Sequence, residues 1–416
     1  MVRLKGFQEL TPVNEALEKF FETLQPKRLN TVFIPVEKAL GRVTAKEIIA
    51  QINLPPFNRS AVDGYALKAK DTVAASQFQP KTLRLVEKEV VEDGEAKEIW
   101  TGNILPKGAY AVVMLEHTKK MDGGIGVLVS LTPGANVSKK GEDVEKGEVV
   151  IAAGVKLTPY HLGLLVALGM EKIEVVRKPK AAILATGNEL VALGDKLEPN
   201  QIVEVNSIIL SGMCAELGVE AFSLGIAKDD ENEIREKISE GLAKADMVIT
   251  TGGTSVGVHD LVPKIIEQMK RHGVVVHGIA MRPSMPTALA VVHRKPVIIL
   301  SGNPVAAVIG FEVFARALIQ KLLGTRNGAR VKLKAKLTRR VAGVLGRRVF
   351  LRVKVVEKDG EFLAGPIRVK GSGIITTMTK ANGYVIIPED REGLRKNEVI
   401  IVHLFDNVTG EKRENV

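Results

Sequence analysis

Between residues 178 and 327 the chain alternates strand patterns with helical patterns. KAAILATG is typical of a buried strand, and NSIILSGMCAELG of a helix with Asn206 as a candidate N-cap. The segments EAFSLGIA, ENEIREKISEGLAKA and DMVITTGG continue the alternation. Such units form right-handed crossovers and a mostly parallel sheet with helices on both faces. Because ligands of these sheets bind beyond the carboxyl ends of the strands, the region predicts an α/β domain with a site at that edge.

Four polar loop motifs follow strands of this region. They are TGNEL (186–190), AKDD (227–230), TTGGTSVGVHD (250–260) and SGNPVAA (301–307). The carboxyl ends of parallel strands share one edge of a sheet, so we expect the four loops to meet in one cleft.

The glycine-rich loop is a candidate for anion binding. Gly252 and Gly253 permit backbone conformations that turn successive N–H groups toward one anion, and the hydroxyls of Thr254 and Ser255 add donors. No Gly-Lys-Ser/Thr follows, so the loop is not a P-loop. A plain strand-to-helix turn is the alternative. The flanking hydroxyls, with Asp260 at the mouth of the next helix, favour ligand binding.

The motif SGNPVAA predicts a helix start, with Asn303 as N-cap and Pro304 in the first turn. The N-terminus of that helix can stabilise an anion beside Ser301 and Gly302. A well-capped helix without a ligand fits the motif equally well, and the motif alone does not decide.

Acidic residues on neighbouring loops complement these anion sites. Glu189, Asp229 and Asp260 would repel one another beside an anion unless a cation bridges them, and Mg²⁺ takes one or two carboxylates plus phosphate oxygens and water. We therefore predict a Mg²⁺ site at these three residues. Asp230 is better suited to cap the helix that starts immediately after it.

MRPSMP (281–286) carries Arg282, a fixed planar cation for a phosphate or a metal oxyanion. The seven histidines form no HxxxH or HxH pair, so no histidine metal site is indicated.

A second candidate region, LPPFNRSAVDGYAL (54–67), precedes the α/β region. Two prolines oppose a helix there, and Asp63 lies in a turn between Ser60 and Gly64. The segment is typical of a structured loop that carries a functional carboxylate, or of a tight Asx turn.

Length and composition limit the classes of protein that remain. The 416 residues suffice for several domains, and Cys214 is the only cysteine, which excludes intrachain disulfides and cysteine-based zinc sites. The chain begins without an apolar signal core, and its longest apolar run, around 162–170, is too short for a membrane span. We expect a cytoplasmic protein with no membrane partner.

The net charge of +11 is unevenly spread, since residues 331–416 hold 18 Lys and Arg against 10 Asp and Glu. A basic segment can bind nucleic acid. In VKLKAKLTRRV, however, apolar and basic residues alternate as in a half-buried strand, and aromatic residues make up only 4% of the chain. We expect no nucleic-acid partner, and a C-terminal β-barrel or sandwich.

The five motifs, in their order along the chain, resemble those of the MoeA family, the molybdopterin molybdenumtransferases, to which the C-terminal part of gephyrin is also related. Each motif alone is weak, but the resemblance covers nearly the whole chain. With the patterns above it predicts a multidomain α/β protein of four domains: 1–54 with 144–177, a linking domain with dimer contacts; 55–143, strand-rich and inserted; 178–327, a molybdopterin-binding domain that resembles molybdopterin adenylyltransferase; and 328–416, a β-barrel-like domain.

The resemblance also implies a reaction. Members of the family take adenylylated molybdopterin and molybdate, cleave the phosphoanhydride, release AMP and insert the metal, and they require Mg²⁺. They are homodimers, with the active site between the α/β domain and the inserted domain of the other subunit. A molybdopterin adenylyltransferase is the implied upstream partner.

The family motifs assign roles position by position. Asp63 matches the important aspartate of a SAMDGYA-like motif, Thr101 the threonine of a TGA-P motif, and Asp143 the aspartate of a RRGEDI-like motif. With Glu189 these are the implied catalytic residues. Asp229 and Asp260 match acidic residues around the pterin and the metal, and Pro304 the second proline of PGNP.

Two departures from the family pattern concern the oxyanion pocket. RPSMP stands where many members have KPGKP, so Arg282 keeps the first charge and Met285 replaces a lysine. Ser301 stands where PGNP begins with proline. The preference between molybdate and tungstate therefore stays open. A non-catalytic scaffold of the gephyrin type is the alternative function, but a scaffold has no need of Asp63, Glu189, Asp229 and Asp260.

Overall fold

The computed structural model describes residues 9–253, 261–269, 271–325, 330–367 and 371–410. The chain divides into two compact units, one of residues 1–32 and 176–416, the other of residues 33–175. The predicted site residues Thr254, Ser255 and Asp260 lie outside the described residues. The finer division into four domains stays a prediction.

Helix α1 (Val13–Leu24) belongs to the first unit, and strand β1 (Thr31–Pro35) leads into the second. The second unit has one α-helix, α2 (Pro159–Ala167), and three short 3₁₀ helices among its described residues, and most of its other regular structure is short strands. These are β2 (Ile48–Ile49), β3 (Arg59–Ser60), β4 (Gly64–Leu67), β5 (Lys81–Leu85), β6 (Glu95–Ile99), β7 (Ala111–Met114), β8 (Thr118–Met121), β9 (Gly124–Val127), β10 (Val137–Ser138), β11 (Val149–Ile151) and β12 (Lys172–Val176).

Six of these strands form one sheet in the order β7-β4-β6-β5-β9-β8. Strand β4, second from one edge, is buried along its whole length, and Leu67, Val113 and Ile125 belong to one apolar core. Gly64 begins this strand because a Cβ there would lie 1.8 Å from the backbone oxygen of Val113. The close approach of β7 to β4 therefore requires glycine directly after Asp63.

The α/β region of the first unit follows the predicted alternation. Its elements are β13 (Lys180–Thr186), β14 (Leu190–Val191), β15 (Ile202–Val203), α3 (Asn206–Glu216), β16 (Glu220–Ala227), α4 (Glu231–Lys244), β17 (Met247–Thr251), α5 (Leu261–Met269), β18 (His272–His277), β19 (Met281–Arg282), β20 (Ala288–Val292), β21 (Lys295–Leu300), α6 (Pro304–Gly310), a π-helical turn Phe311–Ala315 and α7 (Arg316–Leu323).

The sheet of this region has the order β16-β13-β17-β21-β20-β18. Its first four strands are parallel, and β20 and β18 add an antiparallel edge. Ile234 of α4 and Ile265 of α5 share one buried core with Leu184 of β13. Cys214 is buried in α3, and that burial raises the pKa of its thiol to about 12, so the thiol stays protonated at neutral pH.

The C-terminal region forms a closed barrel. Its elements are β22 (Lys332–Leu337), β23 (Val341–Ala342), β24 (Arg348–Lys358), β25 (Glu361–Pro366), α8 (Thr376–Lys380), β26 (Gly383–Ile387), β27 (Gly393–Leu394), β28 (Val399–Leu404) and β29 (Thr409–Gly410). Strands pair in the order β24-β25-β22-β28-β26, and the β24–β26 pairing closes the ring. The predicted barrel is confirmed, with Ala335 and Leu337 of β22 buried and Lys332 and Lys334 exposed.

Within the described part of the chain, no helix combines the length and the apolar character that a membrane crossing needs.

Candidate active site

The four motif loops of the α/β region meet in one cleft. The parallel strands β16, β13, β17 and β21 are neighbours, so their carboxyl ends and the loops that follow lie side by side. A cavity of about 530 Å³ opens there. Its lining takes residues from every motif, namely Thr186, Gly187, Glu189, Leu190, Asp229, Thr251, Gly252, Gly253, Ser301, Gly302 and Asn303, together with Ile202, Asn206 and Pro286.

Two of the three predicted metal ligands line this cleft, and both are exposed. Glu189 folds back over its own loop, since a Cβ on Gly187 would lie 2.6 Å from Glu189 Oε2. The Asp229 amide donates to Asn188 Oδ1 over 3.1 Å, which holds the AKDD loop to the TGNEL loop. Asp230 does not line the cleft. It caps α4 as predicted, with Oδ1 accepting from the Glu233 amide at 2.8 Å.

No group of three or more His, Cys, Asp or Glu side chains is arranged as a metal site within the described residues. Asp260, the third predicted ligand, is not among them. Glu189 and Asp229 alone still fit Mg²⁺, because that ion commonly takes one or two protein carboxylates and completes its shell with phosphate oxygens and water.

The floor of the cleft is formed by backbone segments of neighbouring loops that lie in close contact. Gly252 has φ +92° and Gly253 has φ +64°, a region that favours glycine. A Cβ on Gly252 would lie 2.2 Å from the Thr186 carbonyl oxygen, and one on Gly302 would lie 3.5 Å from Gly252 Cα. The loops after β13, β17 and β21 therefore touch through their main chains.

Asn206 is a cleft residue that the sequence patterns did not indicate. Its prediction as N-cap of α3 is wrong, because the helix begins at Asn206 itself and Val205 holds the cap position. The side chain instead crosses to the SGNP loop, where Nδ2 donates to the Gly302 carbonyl at 2.8 Å.

A second cavity, of about 330 Å³, contains Arg282. Strand β19 pairs with β24, placing Arg282 opposite Val349, so the barrel supplies two further arginines, Arg347 and Arg352. Arg352 is only 4% exposed, and burial followed by the nearby Arg282 charge lowers its pKa. Among the described residues no carboxylate lines this cavity, so it suits an anion.

The two cavities adjoin. Pro286, Ser301 and Asn303 line both of them, so the SGNP loop forms a shared wall. Met285 lines the second cavity, called the arginine cavity below, at the position where the family pattern has lysine. Pro304 lies elsewhere, starting α6 after Asn303 and lining a separate apolar cavity.

The candidate residues of the second unit form a site of their own. Strand β4 pairs with β6 in the register Gly64 opposite Ile99, which brings Asp63 to the turn that contains Thr101. Both the amide and the hydroxyl of Thr101 donate to Asp63 Oδ1, each over 2.7 Å. These two bonds, the backbone bond being the stronger influence, lower the pKa of Asp63. The carboxylate is therefore charged at neutral pH.

Asp143 lies in the same unit and is exposed. Its amide donates to the Leu54 carbonyl over 3.0 Å, which joins the KKGEDV segment to the start of the Asp63 loop. Thus the structure ties all three predicted segments of this unit together by hydrogen bonds.

Arg352 was missed for a different reason than Asn206. It lies on strand β24, 70 positions after Arg282. Its neighbours Leu351 and Val353 belong to the barrel core, so Arg352 lies on the other face of the strand. Only its burial there, in the cavity that contains Arg282, identifies it.

The chain matches three family models along its length. Residues 11–169 match the MoeA N-terminal region (domain I and II), residues 182–321 the probable molybdopterin binding domain, and residues 334–405 the MoeA C-terminal region (domain IV).

Similar proteins cover nearly the whole chain. A putative molybdopterin biosynthesis protein from Methanocaldococcus jannaschii is 38% identical over 97% of this chain and 100% of its own length. A molybdopterin molybdenumtransferase from Bacillus subtilis is 33% identical over 96% of this chain and 95% of its own. The crystal structure of a molybdopterin biosynthesis MoeA protein from Pyrococcus horikoshii has a TM-score of 0.82 at 34% identity, covering 95% of this chain and 100% of that one.

Proposed function

The chain belongs to the MoeA family, and on that premise we propose that it is a molybdopterin molybdenumtransferase, which inserts molybdenum or tungsten into adenylylated molybdopterin with Mg²⁺-dependent release of AMP. The function of its named relatives supports the transferase activity.

The observation that carries the proposal is the pair of adjoining cavities in the first unit. The larger one has a floor of close-packed backbone and two carboxylates at its edge, which suits a flat pterin with a phosphate. The smaller one is lined by three arginines and by no described carboxylate, which suits a tetrahedral oxyanion. Ser301 and Asn303 separate the two, so the metal donor and its acceptor would bind on opposite sides of one loop.

Glu189 and Asp229 would hold Mg²⁺ in the larger cavity, with Asp260 as the third proposed ligand. Bound there, the ion would neutralise negative charge on the phosphoanhydride as AMP leaves.

Asp63 supplies a further carboxylate on the second unit. Thr101 binds only Oδ1 in the described contacts, so Oδ2 can accept a hydrogen bond from a ligand or a water molecule. We propose that Thr101 acts through Asp63, whose charged form its two hydrogen bonds favour, with Asp143 on the adjoining segment as a third catalytic group of this unit.

We also propose that the protein is a homodimer that receives its substrate from a molybdopterin adenylyltransferase. The reaction needs an adenylylated pterin, which a nucleotidyl-transfer step must supply.

The direct test is to incubate the protein with adenylylated molybdopterin and either molybdate or tungstate, and to measure AMP by chromatography. We expect AMP release that stops when Mg²⁺ is chelated and resumes when it is restored. Binding of the substrate without any AMP release would contradict the proposal and would favour the scaffold alternative.

Charge in the arginine cavity should control oxyanion affinity. Arg282→Ala removes a charged donor and should weaken molybdate or tungstate binding by about 1.5–3 kcal/mol. Met285→Lys adds a charge to the same cavity and should tighten binding by roughly 1 kcal/mol, with a gain that shrinks as salt rises. Calorimetric titration of each oxyanion at two ionic strengths measures both effects.

Arg340→Ala is the matched control, because Arg340 is an exposed arginine of the barrel that does not line the cavity. It should leave the affinity unchanged. Equal affinities in the wild type and Arg282→Ala would place the oxyanion elsewhere.

The hydroxyl of Thr101 should affect the pH dependence of AMP release. Because its bond to Oδ1 helps to lower the pKa of Asp63, Thr101→Val should raise that pKa while keeping the backbone bond. Asp63 is protonated, and activity is lost, as pH falls through its pKa. A raised pKa should therefore move the acid limb of the pH–rate profile to higher pH. Activity at neutral pH should change little.

Thr101→Ser keeps a hydroxyl and should retain the wild-type profile. A Thr101→Val profile that falls at every pH without a shift of the acid limb would show that Thr101 acts other than through the charge of Asp63.

A further inference from the structure

Trp100 is the only tryptophan of the chain, and it is 52% exposed. Tryptophan is highly buried on average, because its ring has a large apolar surface, and exposed rings are enriched where a protein binds a partner or ligand. No described residue makes an aromatic or cation–π contact with this ring. The exposed part of the ring is therefore available to a group that the second unit itself does not supply.

Trp100 lies next to Asp63. Gly64 pairs with Ile99, so Asp63 and Trp100 are the next residues at this end of the β4–β6 ladder. The residue after Trp100 donates two hydrogen bonds of 2.7 Å to Asp63, and the Asn103 amide closes a turn by donating to the Trp100 carbonyl at 3.0 Å. The exposed ring and the exposed carboxylate are therefore neighbours on the surface of the second unit.

An exposed cation lies beside the same turn. Arg59 pairs with Ile104 in an antiparallel bridge, and Ile104 is itself 63% exposed, so it extends the apolar surface that Trp100 begins. Hydrogen bonds, the strongest influence being that from Ser138, lower the pKa of Glu142, and the Arg59 charge adds to this effect. Arg59 nevertheless forms no ion pair with a described residue. Its guanidinium group can therefore bind an external anion.

An exposed aromatic ring near an exposed guanidinium group suits a nucleotide. Aromatic side chains stack on any base, because every base has a π-face, and a guanidinium group matches the geometry of a phosphate. The larger cavity of the first unit has no aromatic side chain among the described residues that line it, so it offers no such stacking partner. The leaving group of the proposed reaction is AMP, which carries both a purine ring and a phosphate.

We propose that the second unit binds this leaving group, with the adenine stacked on Trp100 and the phosphate held by Arg59. The inference rests on the proposed function, which makes AMP the product. It adds a binding role to the surface on which Asp63 lies, and it gives Trp100 and Arg59 a contact with the substrate that the family motifs do not assign.

The single tryptophan makes the contact directly measurable. Tryptophan fluorescence of the full-length wild type is titrated with AMP, adenosine and ribose 5-phosphate. We expect AMP and adenosine to quench the emission, because both bring a base against the indole ring, and ribose 5-phosphate to leave it unchanged. AMP should bind about fivefold more tightly than adenosine, and this difference should shrink as salt rises.

Two variants separate the ring contact from the phosphate contact, with affinities measured by calorimetry, which needs no tryptophan. Trp100→Ala should weaken AMP and adenosine binding alike by about tenfold, whereas Trp100→Phe should keep most of the affinity. Arg59→Ala should weaken AMP binding and leave adenosine unaffected. Circular dichroism melting monitors the fold of each variant.

Phe78→Ala is the matched control. Phe78 is a fully exposed aromatic residue of the same unit, in the loop before β5. Its removal should leave the affinity for AMP and for adenosine unchanged.

Four results would overturn the inference. AMP binding without quenching, and with equal affinity in Trp100→Ala, would place the adenine elsewhere, and quenching by pterin-6-carboxylic acid but not by AMP would assign the ring to the pterin. A Trp100→Ala variant that sediments as a smaller species yet binds AMP like the wild type would show that another protein chain covers the ring. A wild type that binds none of the three probes would also overturn it.

The proposed function is decided separately in each case, because AMP release is measured with the complete adenylylated substrate. Release that continues while Trp100→Ala binds AMP normally would leave the transferase intact and remove only the role of this surface. Loss of release in the wild type would remove the proposed function itself.

Discussion

Replacing Glu312 with glutamine is expected to lower the free energy of unfolding by about 3–5 kcal/mol, the usual cost of breaking a buried ion pair. The Glu312 side chain is 4% exposed, and both of its oxygens accept from Arg316 and from Arg330 at distances between 2.6 and 3.2 Å. Glutamine would direct an NH₂ group at these guanidinium groups and remove the buried anion that they share, which leaves Arg330 only the exposed Glu216 at 3.7 Å. Urea unfolding followed by circular dichroism measures the loss.

Glu240→Gln is the matched control. Glu240 and Lys244 also pair four positions apart on a helix, but their side chains are 44% and 62% exposed. The loss there should be at most about 0.5 kcal/mol. Equal losses of unfolding free energy in the two variants would show that burial of the Glu312 ion pairs adds no stability beyond that of an exposed pair.

The pH dependence of the Glu312 effect has a defined sign. Burial raises the pKa of Glu312, but the hydrogen bonds from Arg330 and Arg316 outweigh it, and the net pKa is lowered from 4.5. A carboxyl with a lowered pKa stabilises the fold above its unfolded pKa and loses that contribution as pH falls through its folded pKa. The difference between wild type and Glu312→Gln should therefore shrink in acid.

This cluster also bears on the site, because Glu312 belongs to the continuous helical segment that begins at Pro304, directly after the SGNP loop. If this segment loosened, the SGNP loop between the two cavities would lose its support.

Replacing Gly252 with alanine is expected to weaken pterin binding on the order of a hundredfold, because displacement of site groups by about 1 Å commonly has an effect of this size. Gly252 has φ +92°, which strains any residue with a Cβ, and that Cβ would lie 2.2 Å from the Thr186 carbonyl oxygen. Two loops of the cleft floor would have to move apart. Titration with pterin-6-carboxylic acid measures the change.

Gly194→Ala is the control for backbone strain alone. Gly194 has φ +98°, and a Cβ there would meet no atom within 4 Å. This variant should lose a similar stability from strain but keep its pterin affinity. If both variants bound the pterin equally well, close packing of the Gly252 loop would not be needed for binding.

Much of the first unit could be predicted from local patterns. Apolar strands followed by amphipathic helices indicated parallel crossovers, and the strand-end rule placed the TGNEL, AKDD, TTGG and SGNP loops along one edge. The order of the five motifs then indicated the family, although each motif alone is a weak signal. The capping role of Asp230 also followed from the sequence, because a cap depends only on residues within one turn of the helix.

The antiparallel edge of the sheet carried no such signal. Strands β20 and β21 are joined by the two-residue turn His293–Arg294, and both residues have positive φ, 48° and 64°. Turns of this kind are usually marked by Asn-Gly or Asp-Gly, and neither stands here.

Strand and helix periodicity are local properties of the chain, so the pattern of residues predicts which loops carry polar groups and at which edge of the sheet they lie. Which side chains meet depends on the folded chain. The partner of Asp63 is Thr101 because β4 pairs with β6, and Arg352 joins Arg282 because β19 pairs with β24. The amide of Asn206 binds Gly302 instead of capping its own helix. Each of these contacts joins residues far apart in sequence, and strand register and burial, which no local pattern encodes, bring them together.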